Sequence, residues 1–238
     1  MPHTIDRPGA DEWVPAPPSG RDAAPVRSLA QAAEHCRGCE LWADATQVVF
    51  SSGSPRASVM LVGEQPGDQE DLAGEPFVGP AGRVLREALD TAGLPVDDVY
   101  LTNAVKHFRH RPAPAGKRRI HEKPDTAHIV ACHPWLEAEL AAVGPAVIVC
   151  LGATAGRSVL GRPVKIGAER GRVLEERPPA VPADSRILIT THPSALLRLR
   201  GKPEWEEAFD AFVADLEVAR DEAGLPRREE SPVADASN

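Results

Sequence analysis

Four short, largely apolar runs punctuate the chain, at residues 58–64, 99–105, 146–152 and 186–191. Continuous Val/Ile/Leu runs of this length fit strands of a parallel sheet covered on both faces. Between them the apolar positions fall at helical spacing. Residues 80–92 open on Pro80 and stop at Gly93, residues 125–143 stop at Gly144-Pro145, and residues 153–160 form a shorter stretch. Residues 203–223 place Trp205, Ala208, Phe209, Phe212, Val213 and Leu216 on one helical stripe. Proline at the first turn and glycine past the last are start and stop signals. Strands alternating with helices predict a layered α/β fold with right-handed crossovers, and no internal repeat competes with that reading.

An open α/β sheet binds its ligand beyond the carboxyl ends of its strands. Three of those ends run into polar clusters: residues 63–68 after the first strand, Asn103 near the end of the second, and Thr191-His192-Pro193-Ser194 after the fourth. In the first cluster Gly63 and Gly67 permit a tight turn and close backbone approach. They put Glu64 at the mouth of the sheet, although a plain turn with a solvated carboxylate fits the same residues. The nucleotide P-loop pattern is missing. Phe77 lies in a Pro/Gly-rich loop beside this site, where its ring would stack on a planar ligand; burial statistics favour a core phenylalanine. His192 precedes a proline at the end of the fourth strand, a position from which a ring nitrogen would reach the cleft. His121 sits in a loop without metal-ligand spacing, the usual place of an exposed histidine.

A chain of 238 residues suffices for one α/β domain with a real core. Residues 1–25, with six prolines, and the polar residues 223–238 read as tails, which leaves a single domain over residues 26–222. The 27 basic and 35 acidic residues give a net charge of −8, which excludes a uniformly basic nucleic-acid coat. The charge is unevenly placed, however. Residues 106–123 hold seven Lys/Arg against one acid, and residues 204–230 ten acids against three bases. The basic segment leaves the strand of Asn103 on the ligand side, so phosphate contact outweighs a solvated face. There is no secretory signal and no run near the ~20 apolar residues of a membrane span, so a cytoplasmic address is expected.

Cys36, Cys39, Cys132 and Cys150 follow the spacing C-x2-C, a long gap, then C-x17-C. Structural disulfides are not expected in a cytosolic chain. Four thiols match the donor count of a tetrahedral metal or iron–sulfur site. A second close pair is missing, so a zinc knuckle, an iron–sulfur cluster and free buried thiols all fit. The zinc deaminase signature is absent.

Residues 63–85 (GEQPGDQEDLAGEPFVGPAGRVL), the LTNAVKH strand, the cysteine set and THPSALLR together resemble the iron–sulfur uracil-DNA glycosylases of family 4, over residues 30–216. Gln65 after Glu64 and the insertion KRRIH at residues 117–121 narrow the resemblance to the UdgX subgroup, which attaches itself covalently to uracil-containing DNA through the loop histidine. Ordinary family 4 members usually carry Ala at the Gln65 position and lack the loop. The fold implied is a three-layer αβα sandwich around a small central parallel sheet of four strands. The resemblance implies that Phe77 stacks on the flipped uracil and that Asn103, with Gly63, meets its polar edge; Gln65 departs from family 4, and a contact to the base or to the His121 loop both fit it. It makes His192 the group that stabilises the departing uracilate. His121 becomes the covalent nucleophile, and Glu64 is expected to activate it by bonding its far ring nitrogen. Lys106, Lys117, Arg118, Arg119 and Ser194 would contact DNA, and Cys36, Cys39, Cys132 and Cys150 would ligate a 4Fe–4S cluster. The implied protein is a monomer that excises uracil, with single strands preferred, and stays bonded to the sugar. Two rivals stay open: an ordinary turnover family 4 enzyme, and a non-catalytic module that senses uracil or damaged DNA.

Overall fold

The computed structural model describes residues 8–15, 23–112 and 118–227. Its strands are β1 (Ser51–Gly53), β2 (Val59–Gly63), β3 (Val99–Asn103), β4 (His110–Arg111), β5 (Ile120–His121), β6 (Val147–Leu151), β7 (Val173–Leu174) and β8 (Arg186–Thr190). Its helices are α1 (Ala23–Ala33), α2 (Leu41–Asp44), α3 (Asp68–Ala73), α4 (Pro80–Thr91), α5 (Thr126–Val143), α6 (Ala153–Leu160), α7 (Ile166–Glu169), α8 (Pro193–Leu197) and α9 (Trp205–Glu222).

The main sheet has the order β1-β3-β2-β6-β8-β7. Its four central strands are the four apolar runs, and they pair in parallel. Two antiparallel edge strands extend the expected four-stranded sheet to six. They are three and two residues long and only half-buried, too short to register as apolar runs. Side chains alternate across the central strands. Leu61, Leu101, Val149 and Leu188 face the layer of α4, α8 and α9, where Leu85, Leu196 and Phe212 are fully covered. Met60, Tyr100, Ile148 and Ile187 face α5 and α6, against Leu136, Leu140 and Val159. The fold is therefore the three-layer sandwich.

A buried polar cluster ties β3 to α5. Glu139, with no exposed surface, accepts hydrogen bonds from the Tyr100 hydroxyl and the Thr102 hydroxyl, both at 2.8 Å, and forms an ion pair with Lys106 Nζ. Lys106 is 1% exposed. It cannot reach a phosphate without abandoning a buried carboxylate, so the expected DNA contact is corrected to an interior ion pair.

A third apolar cluster lies where α1 meets α5 and holds Leu29, Phe50, Trp135 and three of the cysteines. Ala10 is buried in it, and the Gly9 N–H donates to the Gly38 carbonyl at 3.0 Å. Residues 8–15 thus pack on the body, unlike the tail expected over residues 1–25. Residues 1–7, 16–22 and 228–238 of the expected tails lie outside the described residues. Among the described residues, no helix is long and apolar enough to cross a membrane.

Candidate active site

The carboxyl ends of the central strands open onto a cavity of about 600 Å³. Glu64, Gln65, Phe77, Asn103, His121 and His192 line it. Gly63 and Asn103 are register partners at the ends of β2 and β3. A Cβ on Gly63 would stand 2.3 Å from Asn103 Oδ1 and 2.7 Å from Phe77 Cζ. Only glycine lets the amide and the ring come this close. Phe77 is the one non-glycine residue with positive φ, 58°, among the described residues. That backbone is strained for a bulky side chain and persists only where its surroundings impose it. Two contacts do so here. Glu70 accepts the Gly79 N–H at 2.8 Å. The start of α4 also presses on the loop, since a Cβ on Gly82 would lie 1.6 Å from the Phe77 carbonyl oxygen. The result is a flat apolar wall beside a buried amide that makes no hydrogen bond to the described residues.

His192 is the N-cap of α8. Its Nδ1 accepts the Ser194 N–H at 3.1 Å and lies 2.8 Å from the Ser194 hydroxyl. The ring proton of the neutral imidazole therefore sits on Nε2. Burial pushes the His192 pKa down to about 4, and the neighbouring His121 and Arg198, which would repel a second positive charge, act in the same direction. The group is thus a neutral hydrogen-bond donor at neutral pH. Ser194, expected to contact DNA, orients this ring.

His121 reaches the cavity on the β4–β5 hairpin, in register with His110. Buried Gln65 holds the hairpin's base. Its Oε1 accepts the Arg109 N–H at 3.1 Å, and its amide nitrogen faces the carbonyls of Arg109 (3.2 Å) and Glu122 (3.0 Å) and His121 Nε2 (2.9 Å). Glu64 Oε1 lies 3.6 Å from the same Nε2, while its other oxygen accepts the Thr154 hydroxyl. The expected contact of Glu64 with the far ring nitrogen is thus corrected: carboxylate and amide converge on one nitrogen. Burial lowers the His121 pKa from its usual value; Arg198 adds to this, while Glu64 and Glu70 oppose it.

The basic segment divides. Lys106 is interior. Arg119 is held by Asp68 at 2.6 Å and Asp71 at 2.7 Å, so its expected phosphate contact would compete with two carboxylates. Arg118 is exposed, and Lys117 lies outside the described residues. Arg198 was missed; it lines the cavity at the end of α8, six residues after His192, with Lys123 of the basic segment also on the lining. The His-Pro-Ser start of that helix is the signal that could have found Arg198.

The cysteines do not assemble as four. Cys36, Cys39 and Cys132 share the α1/α5 cluster, and Cys132 is electrostatically coupled to the other two. Cys150 lies in β6 on the face toward α5 and α6, in a different cluster. Strand alternation turns its thiol into the sheet's own core, so its expected place as fourth ligand is corrected. Trp135 Nε1–H bonds Cys36 Sγ and the Lys106 N–H bonds Cys132 Sγ, each at 3.3 Å. His107, 6% exposed, follows Lys106, whose N–H bonds Cys132 Sγ; burial, with Arg37 adding to it against Asp71, lowers its pKa to about 4. Among the described residues no three such side chains converge on a point fit for one metal ion. A cluster asks for less convergence, because each ligand binds its own iron.

A sequence model of the uracil DNA glycosylase superfamily matches residues 50–217, most of the sheet and its site, and the chain belongs to that superfamily. Within it the chain is similar to type-4 uracil-DNA glycosylases. It is 36% identical over 180 residues to that of Archaeoglobus fulgidus, covering 73% of this chain and 84% of the relative. It is 35% identical over 193 residues to that of Thermotoga maritima (81% and 91%) and 33% over 184 residues to that of Pyrobaculum aerophilum (74% and 88%).

Proposed function

We propose that the protein excises uracil from DNA and is then captured by the sugar it has exposed, through a bond between His121 and C1′. One observation carries this reading: His121 Nε2 stands at the cavity beside the Glu64 carboxylate, on a hairpin whose base is hydrogen-bonded to Gln65. The type-4 likeness supports the substrate. Uracil must leave the stack to be reached. In the cavity the Phe77 ring offers its face, and the Asn103 amide offers a donor and an acceptor to the base edge.

The C1′–N1 bond then breaks with its electron pair passing to uracil. The Nε2–H of neutral His192 meets the negative charge that develops on the base oxygen, a preorganised donor of the kind that contributes most to catalysis. Glu64 places negative charge on the cationic sugar side. The Nε2 lone pair of His121 adds to C1′, the imidazolium loses its Nδ1 proton to solvent, and uracilate takes up a proton. The alkylated imidazole is a poor leaving group, so the reaction stops after one event.

Cys36, Cys39, Cys132 and His107 would hold an iron–sulfur cluster: the thiols are buried, two receive N–H donors, and the imidazole is neutral. Such a cluster would crosslink the α1–α2 segment to α5 as a structural staple.

The test is a denaturing gel of the protein with a single-stranded oligonucleotide carrying one uracil, beside a thymine control and the His121→Ser variant. A uracil-dependent band that survives heat and detergent, and that vanishes in the variant, is the expected result. Free uracil in excess over enzyme without a shifted band would establish the turnover enzyme instead. Intact glycosidic bonds would leave a binding module.

A further inference from the structure

We propose that Arg119 is a positioning residue: clamped by Asp68 and Asp71, it fixes where His121 stands over the cavity, and so sets how often the sugar is captured before water reaches it. The inference rests on the capture reading above. Arg119 is two residues from His121, about 7 Å of extended chain at ~3.3 Å per residue. Its Nε bonds Asp68 and its Nη1 bonds Asp71, with the Thr46 hydroxyl 3.3 Å from Nη1. The guanidinium lies over the Phe108 ring at 5.2 Å, and that ring meets the His121 ring at 5.9 Å.

Three features make this a clamp rather than a spare cation. Strands β4 and β5 are two residues each, and so short a hairpin does not hold itself. Asp71 has no exposed surface and also accepts the Thr46 N–H, so an Arg119 that left for a phosphate would strand a buried carboxylate. Both acids lie on α3, directly after the Glu64-Gln65 turn. The same short segment therefore carries the carboxylate facing His121 and the anchor that places His121 opposite it. Planar guanidinium against two carboxylates is a directional contact, which lysine does not reproduce.

The test uses the full chain and counts two products separately on a uracil-bearing single strand: uracil released, and protein bonded to DNA. In Arg119→Ala, uracil release persists and reports a folded protein, while the capture step slows by about 100-fold, the effect of ~1 Å misplacement. The salt dependence of DNA binding keeps its slope. Asp68→Asn, which spares the buried Asp71, weakens capture in the same direction, and Arg119→Lys restores little. Three results would overturn the proposal. One is undiminished capture in Arg119→Ala. Another is a slope shallower by about 0.7, one phosphate contact on a single strand, with capture per bound strand unchanged. The third is tighter DNA binding with full capture in Asp68→Asn, which would mean the acid merely sequesters a phosphate ligand. Hydrogen exchange at the Arg109 and Glu122 amides separates the two layers of the argument. If wild type makes no adduct but Arg119→Ala still unprotects these amides, the capture reading fails and the clamp stands. If the amides keep their protection while wild type captures, the clamp fails alone.

Discussion

Lys106→Met asks whether the charge beside Asn103 belongs to the interior or to DNA. Methionine keeps most of the stem volume and removes the cation. Glu139, with no exposed surface, then loses its ion-pair partner and keeps the Tyr100 and Thr102 hydroxyls. Removing one half of a buried pair costs about 3–5 kcal/mol. The two retained hydrogen bonds place this case near the lower end, about 3 kcal/mol. At about 2–4 °C per kcal/mol for a chain of this size, Tm falls by roughly 6–12 °C. The loss also depends on pH in a defined sense. Burial already raises the Glu139 pKa, opposed by Lys106, and losing Lys106 raises it further. A carboxyl with a raised folded pKa destabilises as pH rises from its unfolded value through its folded one, so the deficit is smaller at pH 5 than at pH 7. Thermal and urea unfolding of wild type, Lys106→Met, Glu139→Met and the double variant check this, with the double variant recovering most of the loss. A stable Lys106→Met with weaker, less salt-sensitive DNA binding would refute the reasoning and return Lys106 to the DNA surface.

Gly63→Ala puts a methyl 2.3 Å from Asn103 Oδ1; single-turnover uracil release should fall by about 100-fold, with a stability loss of about 1–3 kcal/mol on unfolding. Capture per uracil released should be level from pH 8 to 7 and decline only in acid, below the usual histidine range, because the His121 pKa is lowered and protonation removes its lone pair; rapid-quench assays across pH show it, and capture rising with acid would contradict it. Both site histidines have lowered folded pKa values, so their contribution to stability is complete above the unfolded value near 6.5 and is lost as pH falls below it, His192 continuing to about 4; denaturant midpoints against pH measure this. Cys36→Ser should abolish the broad visible absorbance of an iron–sulfur protein, whereas Cys150→Ser should retain it.

The central strands were legible because burial on both faces leaves an unbroken apolar signature, and the edge strands were not because two or three half-buried residues leave none. Glu64, Asn103 and His192 were legible for a topological reason: each sits where a parallel strand ends. What failed were inferences from local charge and spacing. Lys106 reads as part of a basic run, yet its partner Glu139 is 33 residues away on a helix that the sequence does not say will pack there. Arg119 finds Asp68 at a separation of 51 residues. The face of β6 on which Cys150 falls follows from alternation with Ile148, but the neighbours that its thiol meets depend on how α5 and α6 are laid across the sheet. The positive φ of Phe77 had no signature at all, because Gly82 imposes it from the next helix.

The two histidines of the cavity are both neutral, and their neighbours fix opposite tautomers. Ser194 donates its N–H to Nδ1 of His192, which leaves Nε2–H as a donor toward the cavity. Gln65 presents its amide nitrogen to Nε2 of His121, which leaves the proton on Nδ1 and the lone pair on Nε2. The orientation of that amide is set by the rest of its network, since its oxygen must face the Arg109 N–H and its nitrogen the two carbonyls. An amide nitrogen has two protons, and here three acceptors lie within 3.2 Å. When the His121 lone pair turns to an electrophile, Gln65 still has both carbonyls to bond, so no buried donor is orphaned. Alanine at this position would leave the imidazole tautomer to Glu64, whose carboxylate favours a proton on Nε2 and hence a blocked lone pair. On the proposed capture reading Gln65 and His121 act as one device: the amide keeps the attacking nitrogen unprotonated and still has its two carbonyl partners to bond when that nitrogen is released.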